Sequence, residues 1–183
     1  FIVPRFQNKG IASNVIKQLF TIYPNIIEWR LDTIKQEEKN CYLYEKCGFV
    51  RTGDETVVNE NMALVDYVKS CIEVRRFKKE DAQEVRNLVV RNFLEVNSKD
   101  YGLAAMEKLA ETYDVEKILN LASYAHTYVF EWNGKIVGTG SISSFWGSLT
   151  ESILLTIFVM PEFHGKGIGT KIINTLEQDE FYV

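Results

Sequence analysis

The strongest pattern of apolar and polar positions lies near the C-terminal end. Residues 153–160 are apolar at every position but Thr156, which predicts a buried strand. Pro161 closes it. Glycines at 165, 167 and 169 alternate with other residues and open a helix that continues through Thr170, Lys171, Ile172, Ile173, Leu176 and Glu177. A strand that feeds a glycine-studded helix start suits an anion. The first N–H groups of a helix lack internal partners, the helix dipole makes that end positive, and glycine lets a phosphate approach the main chain.

Elsewhere the periodicity changes along the chain. Residues 13–22 are apolar at 15, 16, 19, 20 and 22, an amphipathic helix stopped by Tyr23-Pro24-Asn25. Residues 26–31 read as a short strand, and 37–46 as a helix closed by Gly48. Residues 49–58 and 62–68 read as strands around the turn Asn59-Glu60-Asn61. Lys69-Ser70-Cys71 then leads to a new start. A strand at 72–77 is followed by the acids of Glu80 and Asp81 at a helix N-terminus, and by a helix over 82–96 with apolar residues at 85, 88, 89, 93 and 96. After a loop with Gly102, a second helical pattern covers 104–121. Strands at 127–132 and 135–143 flank Asn133-Gly134, a strong hairpin signal.

The strand-end and loop pattern occurs twice. Residues 2–12 match 158–169, at an offset of 157 from Phe6 onward, with Phe6/Phe163, Lys9/Lys166, Gly10/Gly167 and Ile11/Ile168 identical. Setting Val3 beside Val159 puts Pro4 one place ahead of Pro161, an expectation of loops slightly different in length. A repeat at this distance means two copies of a domain-sized unit, not a solenoid.

Gln7-Asn8-Lys9-Gly10-Ile11-Ala12 and His164-Gly165-Lys166-Gly167-Ile168-Gly169 resemble the [Gln/Arg]-x-x-Gly-x-[Gly/Ala] pyrophosphate loop of the GNAT N-acetyltransferases. A dinucleotide fingerprint G-x-G-x-x-G fails at Thr170, and no G-x-x-x-x-G-K-[ST] loop is present. Leu43-Tyr44-Glu45-Lys46-Cys47-Gly48-Phe49 is similar to the later [LF]-Tyr-x-[KR]-x-Gly-[FY] motif of the same family, and Asn133-Gly134-Lys135-Ile136-Val137-Gly138 to its hairpin. Seven residues before that tyrosine the family often has Asn, whereas this chain has Glu37. The resemblance implies an α/β (α+β) fold with a mixed, mostly antiparallel sheet flanked by helices. It also implies two incomplete tandem copies: residues 1–68 as the C-terminal half of one domain, 69–71 as linker, and 72–183 as the N-terminal half of a second through its loop and helix.

Composition narrows the alternatives. The 183 residues are 46% hydrophobic and 13% aromatic, which excludes global disorder. A net charge of −4, with no basic cluster beyond Arg75-Arg76 and Lys78-Lys79, argues against nucleic acid as a partner. Cys41, Cys47 and Cys71 lack disulfide-framework or zinc spacing, so no metal is expected. Apolar runs of about eight residues are too short to span a bilayer, so no membrane partner is expected and the cytoplasm is the expected compartment. The chain begins with Phe1 and ends with Phe181-Tyr182-Val183, both strand-like, which leads us to expect a fragment of a longer reading frame.

The resemblance further implies acetyl-CoA as acetyl donor and a small-molecule or peptide amine as acceptor. Main-chain groups of residues 8–12 and 165–169 would hold its pyrophosphate. The implied cofactor-binding residues are Gln7, Asn8, Lys9, Gly10, Ile11, Ala12, Phe158, Val159, His164, Gly165, Lys166, Gly167, Ile168, Gly169 and Thr170. Tyr44 would protonate the leaving thiolate. The general base stays open between Glu151 and a water chain, because residues 152–160 contain no carboxylate. Cys47 has no His partner in its motif and reads as packing. Each half lacks what the other has, so pairing of two copies by complementation of halves is one expected assembly.

Overall fold

The computed structural model describes residues 2–181, and the chain divides into two compact units, Phe1–Cys71 and Ile72–Val183. The strand expectations at Phe1, Tyr182 and Val183 lie outside the described residues.

In the first unit a 3-10 turn at Pro4–Phe6 leads to α1 (Ile11–Ile22), followed by β1 (Glu28–Ile34), α2 (Glu38–Lys46), β2 (Val50–Asn59) and β3 (Met62–Ser70). The three strands form an antiparallel sheet in the order β1-β3-β2. Alternation along β3 turns Ala63, Val65 and Tyr67 inward. Val65 and Tyr67 join Cys47 and Phe49 in a core on which Ile16 and Phe20 of α1 and Leu43 and Tyr44 of α2 pack. Gly48, at φ 85°, takes the left-handed position that closes α2.

The second unit opens with β4 (Glu73–Arg76), a 3-10 turn at Lys79–Asp81 and α3 (Ala82–Asn92). A π-helical turn, Phe93–Asn97, continues into α4 (Ser98–Tyr101), then α5 (Leu103–Glu111) and α6 (Val115–Tyr124). The strands β5 (His126–Trp132), β6 (Lys135–Ser144) and β7 (Ser152–Val159) precede a 3-10 turn at Pro161–Phe163 and α7 (Ile168–Leu176). The sheet order is β4-β5-β6-β7, antiparallel throughout. Asn133 (φ 50°) and Gly134 (φ 73°) are both left-handed, as a two-residue hairpin that follows strand twist requires. Arg75 ties three elements together: it bonds Asp81 at 2.7 and 2.9 Å and Glu131 at 2.6 Å.

Two features of this sheet position the site. Between the pairs Thr139↔Phe158 and Ser141↔Leu155, β7 carries one residue more than β6, and Thr156 sits at φ 51°. This is a β-bulge, which re-aims the strand that follows it. On β6, Gly138 and Gly140 let α7 lie close to the sheet. A Cβ on Gly138 would meet Ile172 Cδ1 at 3.2 Å and Ile168 Cγ2 at 3.3 Å, and one on Gly140 would collide with Ile172 Cγ2. The apolar stripe of α7, Ile168, Ile172 and Leu176, is buried.

The structure corrects four expectations. The helical pattern over 104–121 is two helices, because Asp114 accepts from Lys117 N–H at 2.8 Å and caps a new start. The α-helix predicted to 96 ends at Asn92 and loosens into the π turn. Phe181 lies in a turn, its N–H bound to Asp179 Oδ1 at 2.9 Å, and Ile2 and Val3 are unladdered. The two loops have the same length. Pro4 and Pro161 each begin a 3-10 turn, so Val3 answers to Met160, not to Val159.

Candidate functional site

At an offset of 157 the two loops share one backbone conformation. The residues before the prolines, Val3 (φ −55°, ψ 134°) and Met160 (φ −51°, ψ 134°), agree within a few degrees. Asn8 (φ 59°) and Gly165 (φ 73°) are both left-handed, as are Gly10 (φ 75°) and Gly167 (φ 77°). Asn adopts this region more readily than most residues, which explains why position 8 manages without glycine. The side chains also correspond. Gln7 Nε2 donates to Ile2 O at 3.1 Å, and His164 Nε2 to Val159 O at 2.9 Å. A carbonyl only accepts, so this contact places the His164 proton on Nε2. Lys9 lies 5.4 Å from the Phe6 ring centre and Lys166 lies 5.0 Å from that of Phe163. His164 therefore caps its loop as Gln7 does.

In each helix the first internal N–H bond comes late: Asn14 N–H to Gly10 O, and Lys171 N–H to Gly167 O, both 3.0 Å. The N–H groups of Ile11, Ala12 and Ser13 in one copy, and of Ile168, Gly169 and Thr170 in the other, precede these bonds and have no carbonyl of the helix to take. The helices differ in surroundings. Ile168, Ile172 and Leu176 are 2%, 0% and 0% exposed, whereas their counterparts Ile11, Val15 and Leu19 are 38%, 49% and 38% exposed. The first unit uses the adjacent flank of its helix, Ile16 and Phe20, for its core.

The second loop borders a cleft of about 490 Å³. One wall is the end of β7, Ile157 to Val159; another is the loop and the first turn of α7; the third is Asn92, Val96 and Asn97 from α3 and the π turn. Among the described residues no carboxylate lines it. Asn92, which sequence reasoning missed, is 4% exposed and donates to Leu88 O at 3.0 Å and Val159 O at 2.9 Å. The Val159 carbonyl thus carries two side-chain donors. The neighbour of Asn92, Arg91, bonds Glu95 (2.8 Å), Glu162 (3.1 Å) and Met160 Sδ (3.2 Å), pinning α3 to the segment that leaves β7. Glu162 is held below its ordinary range first by its own backbone N–H and then by Arg91. Behind the bulge, Tyr113 Oη and Thr156 Oγ1 are 3.1 Å apart, and burial pushes the Tyr113 phenol up.

Tyr44 belongs to the first unit. Its ring stands 6.1 Å from those of Phe49 and Tyr67, it is half-buried, and its hydroxyl has no protein partner among the described residues. Tyr67 is buried and donates to Glu45 at 3.0 Å; burial, then Cys41 and Glu45, push its phenol up. Cys47 is buried in the core. Glu151 is exposed just ahead of β7. His126 starts β5 and is engaged with Asp179 at 2.9 Å, away from the loop. No group of three or more metal-ligating side chains occurs among the described residues, and no helix there is long and apolar enough to cross a membrane.

A strand ending in a proline turn, a left-handed glycine and an open helix start, all beside a bulged strand, match the loop pattern that the sequence resembles. The family model "Acetyltransferase (GNAT) family" matches residues 83–181, more than half of the chain, and the chain belongs to that family. The PaiA N-acetyltransferase of Thermoplasma acidophilum, solved in complex with coenzyme A, is similar at 19% identity, covering 58% of this chain and 70% of that one, with a TM-score of 0.53. A GNAT family acetyltransferase of Brucella melitensis, solved with acetyl-CoA, is 23% identical, covering 57% of this chain and 64% of that one, with a TM-score of 0.43. No curated protein sequence matches.

Proposed function

We propose that this chain is an acetyl-CoA-dependent N-acetyltransferase that moves the acetyl group directly from acetyl-CoA to a primary amine of a small molecule or peptide. The observation that carries this reading is the open, left-handed loop at 164–169, set at the end of β7 in a cleft without carboxylates. A pyrophosphate meets unpaired N–H groups there and no opposing charge. The acyl-pantetheine arm would run along β7 past the bulge at Thr156. Coenzyme A in the PaiA structure supports the choice of ligand.

In this reading the amine nitrogen attacks the thioester carbonyl, the new C–N bond forms as the C–S bond breaks, and the Tyr44 hydroxyl gives its proton to the departing thiolate. The amine loses its proton to water or to Glu151. Holding both reactants in line supplies much of the rate. The tandem arrangement belongs to the same proposal: residues 1–68 as the back half of one copy, 72–183 as the front half of the next. Copies that complement one another would bring the open edge of β1 in one molecule to the open edge of β7 in another. Only one of the two loop helices would then lie over the β6 glycines.

A second reading is a non-catalytic acyl-CoA-binding module. It is favoured by the location of Tyr44 in the first unit and of the cleft in the second. Calorimetric titration with acetyl-CoA, solution mass and acetyl transfer to a panel of amines test both readings. Loss of turnover in Tyr44→Phe with acetyl-CoA binding retained supports the enzyme. Binding with no turnover in any variant supports the module, and no binding refutes both.

A further inference from the structure

Asn92 is the only polar residue on the buried stripe of α3 formed with Val85, Leu88 and Val89. Both of its N–H bonds are spoken for: the acceptors, Leu88 O and Val159 O, are carbonyls, so the amide nitrogen must face them and the oxygen must face away. No protein donor reaches Asn92 Oδ1 among the described residues. It is not sealed off either. Trp132 Nε1 is the one fully buried side-chain polar atom there without a partner, and Asn92 lines the cleft. A nearly buried side chain therefore turns one unused acceptor into the cavity beside the anion loop. Directly after it the helix widens into the π turn that brings Val96 and Asn97 to the same wall. Such turns recur at functional sites.

The chemistry of the lining selects the donor. An ammonium group would call for a carboxylate, and the cleft has none. A neutral N–H suits an amide oxygen. We propose that Asn92 is a cofactor-positioning residue whose Oδ1 accepts a hydrogen bond from an amide N–H of the pantetheine arm, while its own N–H groups hold the end of β7 in place. This rests on the acetyl-CoA reading above and adds to it a residue outside the loop motif. The two roles are coupled: fixing the Val159 carbonyl sets the strand wall, and the same rotamer aims the oxygen at the ligand.

The test compares coenzyme A with an analogue whose pantetheine amides are replaced by esters, in the wild-type chain and in Asn92→Ala, by calorimetry. The analogue is expected to bind the wild type about tenfold more weakly, the usual worth of one neutral hydrogen bond. That difference is expected to disappear in Asn92→Ala. A difference that persists in the variant, or that is absent in the wild type, overturns the proposal. A purely structural Asn92 would weaken both ligands equally and leave the ratio unchanged, which also overturns it. Should Asn92→Ala fail to fold, Asn92→Ser keeps a donor toward the Leu88 carbonyl and carries the same comparison. Failure of the wild type to bind coenzyme A at all refutes the acetyl-CoA reading itself. A ratio unaffected by residue 92 refutes only this inference.

Discussion

Substituting Gly140 by Ala puts a methyl group where Ile172 Cγ2 already stands, with Leu176 Cδ1 3.2 Å and Ile157 Cγ1 3.8 Å away. Ile172 and Leu176 are fully buried and cannot swing outward, so α7 must shift off the sheet. Overpacking of this kind costs about 1–3 kcal/mol. Replacing glycine in a strand returns roughly 0.5–1 kcal/mol through reduced freedom of the unfolded chain. The net expectation is a loss of about 1–2 kcal/mol, or a fall in Tm of roughly 5–10 °C for a unit of this size. Because the first turn of α7 is part of the anion loop, coenzyme A affinity should fall with it. Ile172→Ala alone should cost about 2–5 kcal/mol through the cavity it leaves. It also removes the colliding methyl, so the double variant should be less damaged than the sum of the singles by about 1–2 kcal/mol. Thermal melts followed by circular dichroism, with calorimetric titration of coenzyme A, measure each quantity. An unchanged Tm in Gly140→Ala, or strict additivity in the pair, would refute the packing argument.

Other expectations are simpler to check. His164→Gln, which copies the first loop, should keep coenzyme A affinity within about twofold, whereas His164→Ala should lose several-fold by calorimetry as the cap on the Val159 carbonyl disappears. Asp81 is held below its ordinary range chiefly by Arg75, with burial opposing and the Lys78 N–H assisting. A depressed carboxylate stabilises above its unfolded pKa and loses that contribution as pH falls through the lower folded value. Urea midpoints should therefore drop below about pH 4, and Asp81→Asn should flatten that slope while losing about 2 kcal/mol at neutral pH. Val15→Ser should cost under about 1 kcal/mol by urea titration, and its counterpart Ile172→Ser more than about 3, because only the latter is enclosed.

What was legible in the sequence was what depends on local conformation. Gly10, Gly48, Gly134 and Gly167 announce left-handed backbone, and each lies where a turn or helix end was expected. The hairpin and the strand before Pro161 followed for the same reason. What depends on distant contacts was not legible. That Gln7 and His164 make the same bond needs the main chain folded back on itself. Asn92 did leave a trace: it stands four residues from both Leu88 and Val96, on the apolar stripe of a helix, where a polar side chain asks for a partner. Asp114 was likewise readable as a helix cap inside a pattern that ran smoothly across it. The Val3–Val159 alignment misled because one identical residue outweighed the prolines, which constrain the backbone more than valine does.

The bare stripe on α1 has a meaning for how substitutions accumulate. Two helices with the same loop ahead of them sit in one polypeptide, one enclosed and one open to water on the flank of Ile11, Val15 and Leu19. Lys, Glu or Ser at any of the three would cost the folded unit little, so substitutions can collect on this flank while the enclosed stripe of α7 stays aliphatic. In a purified sample the same three side chains are one of the places where molecules can adhere to one another.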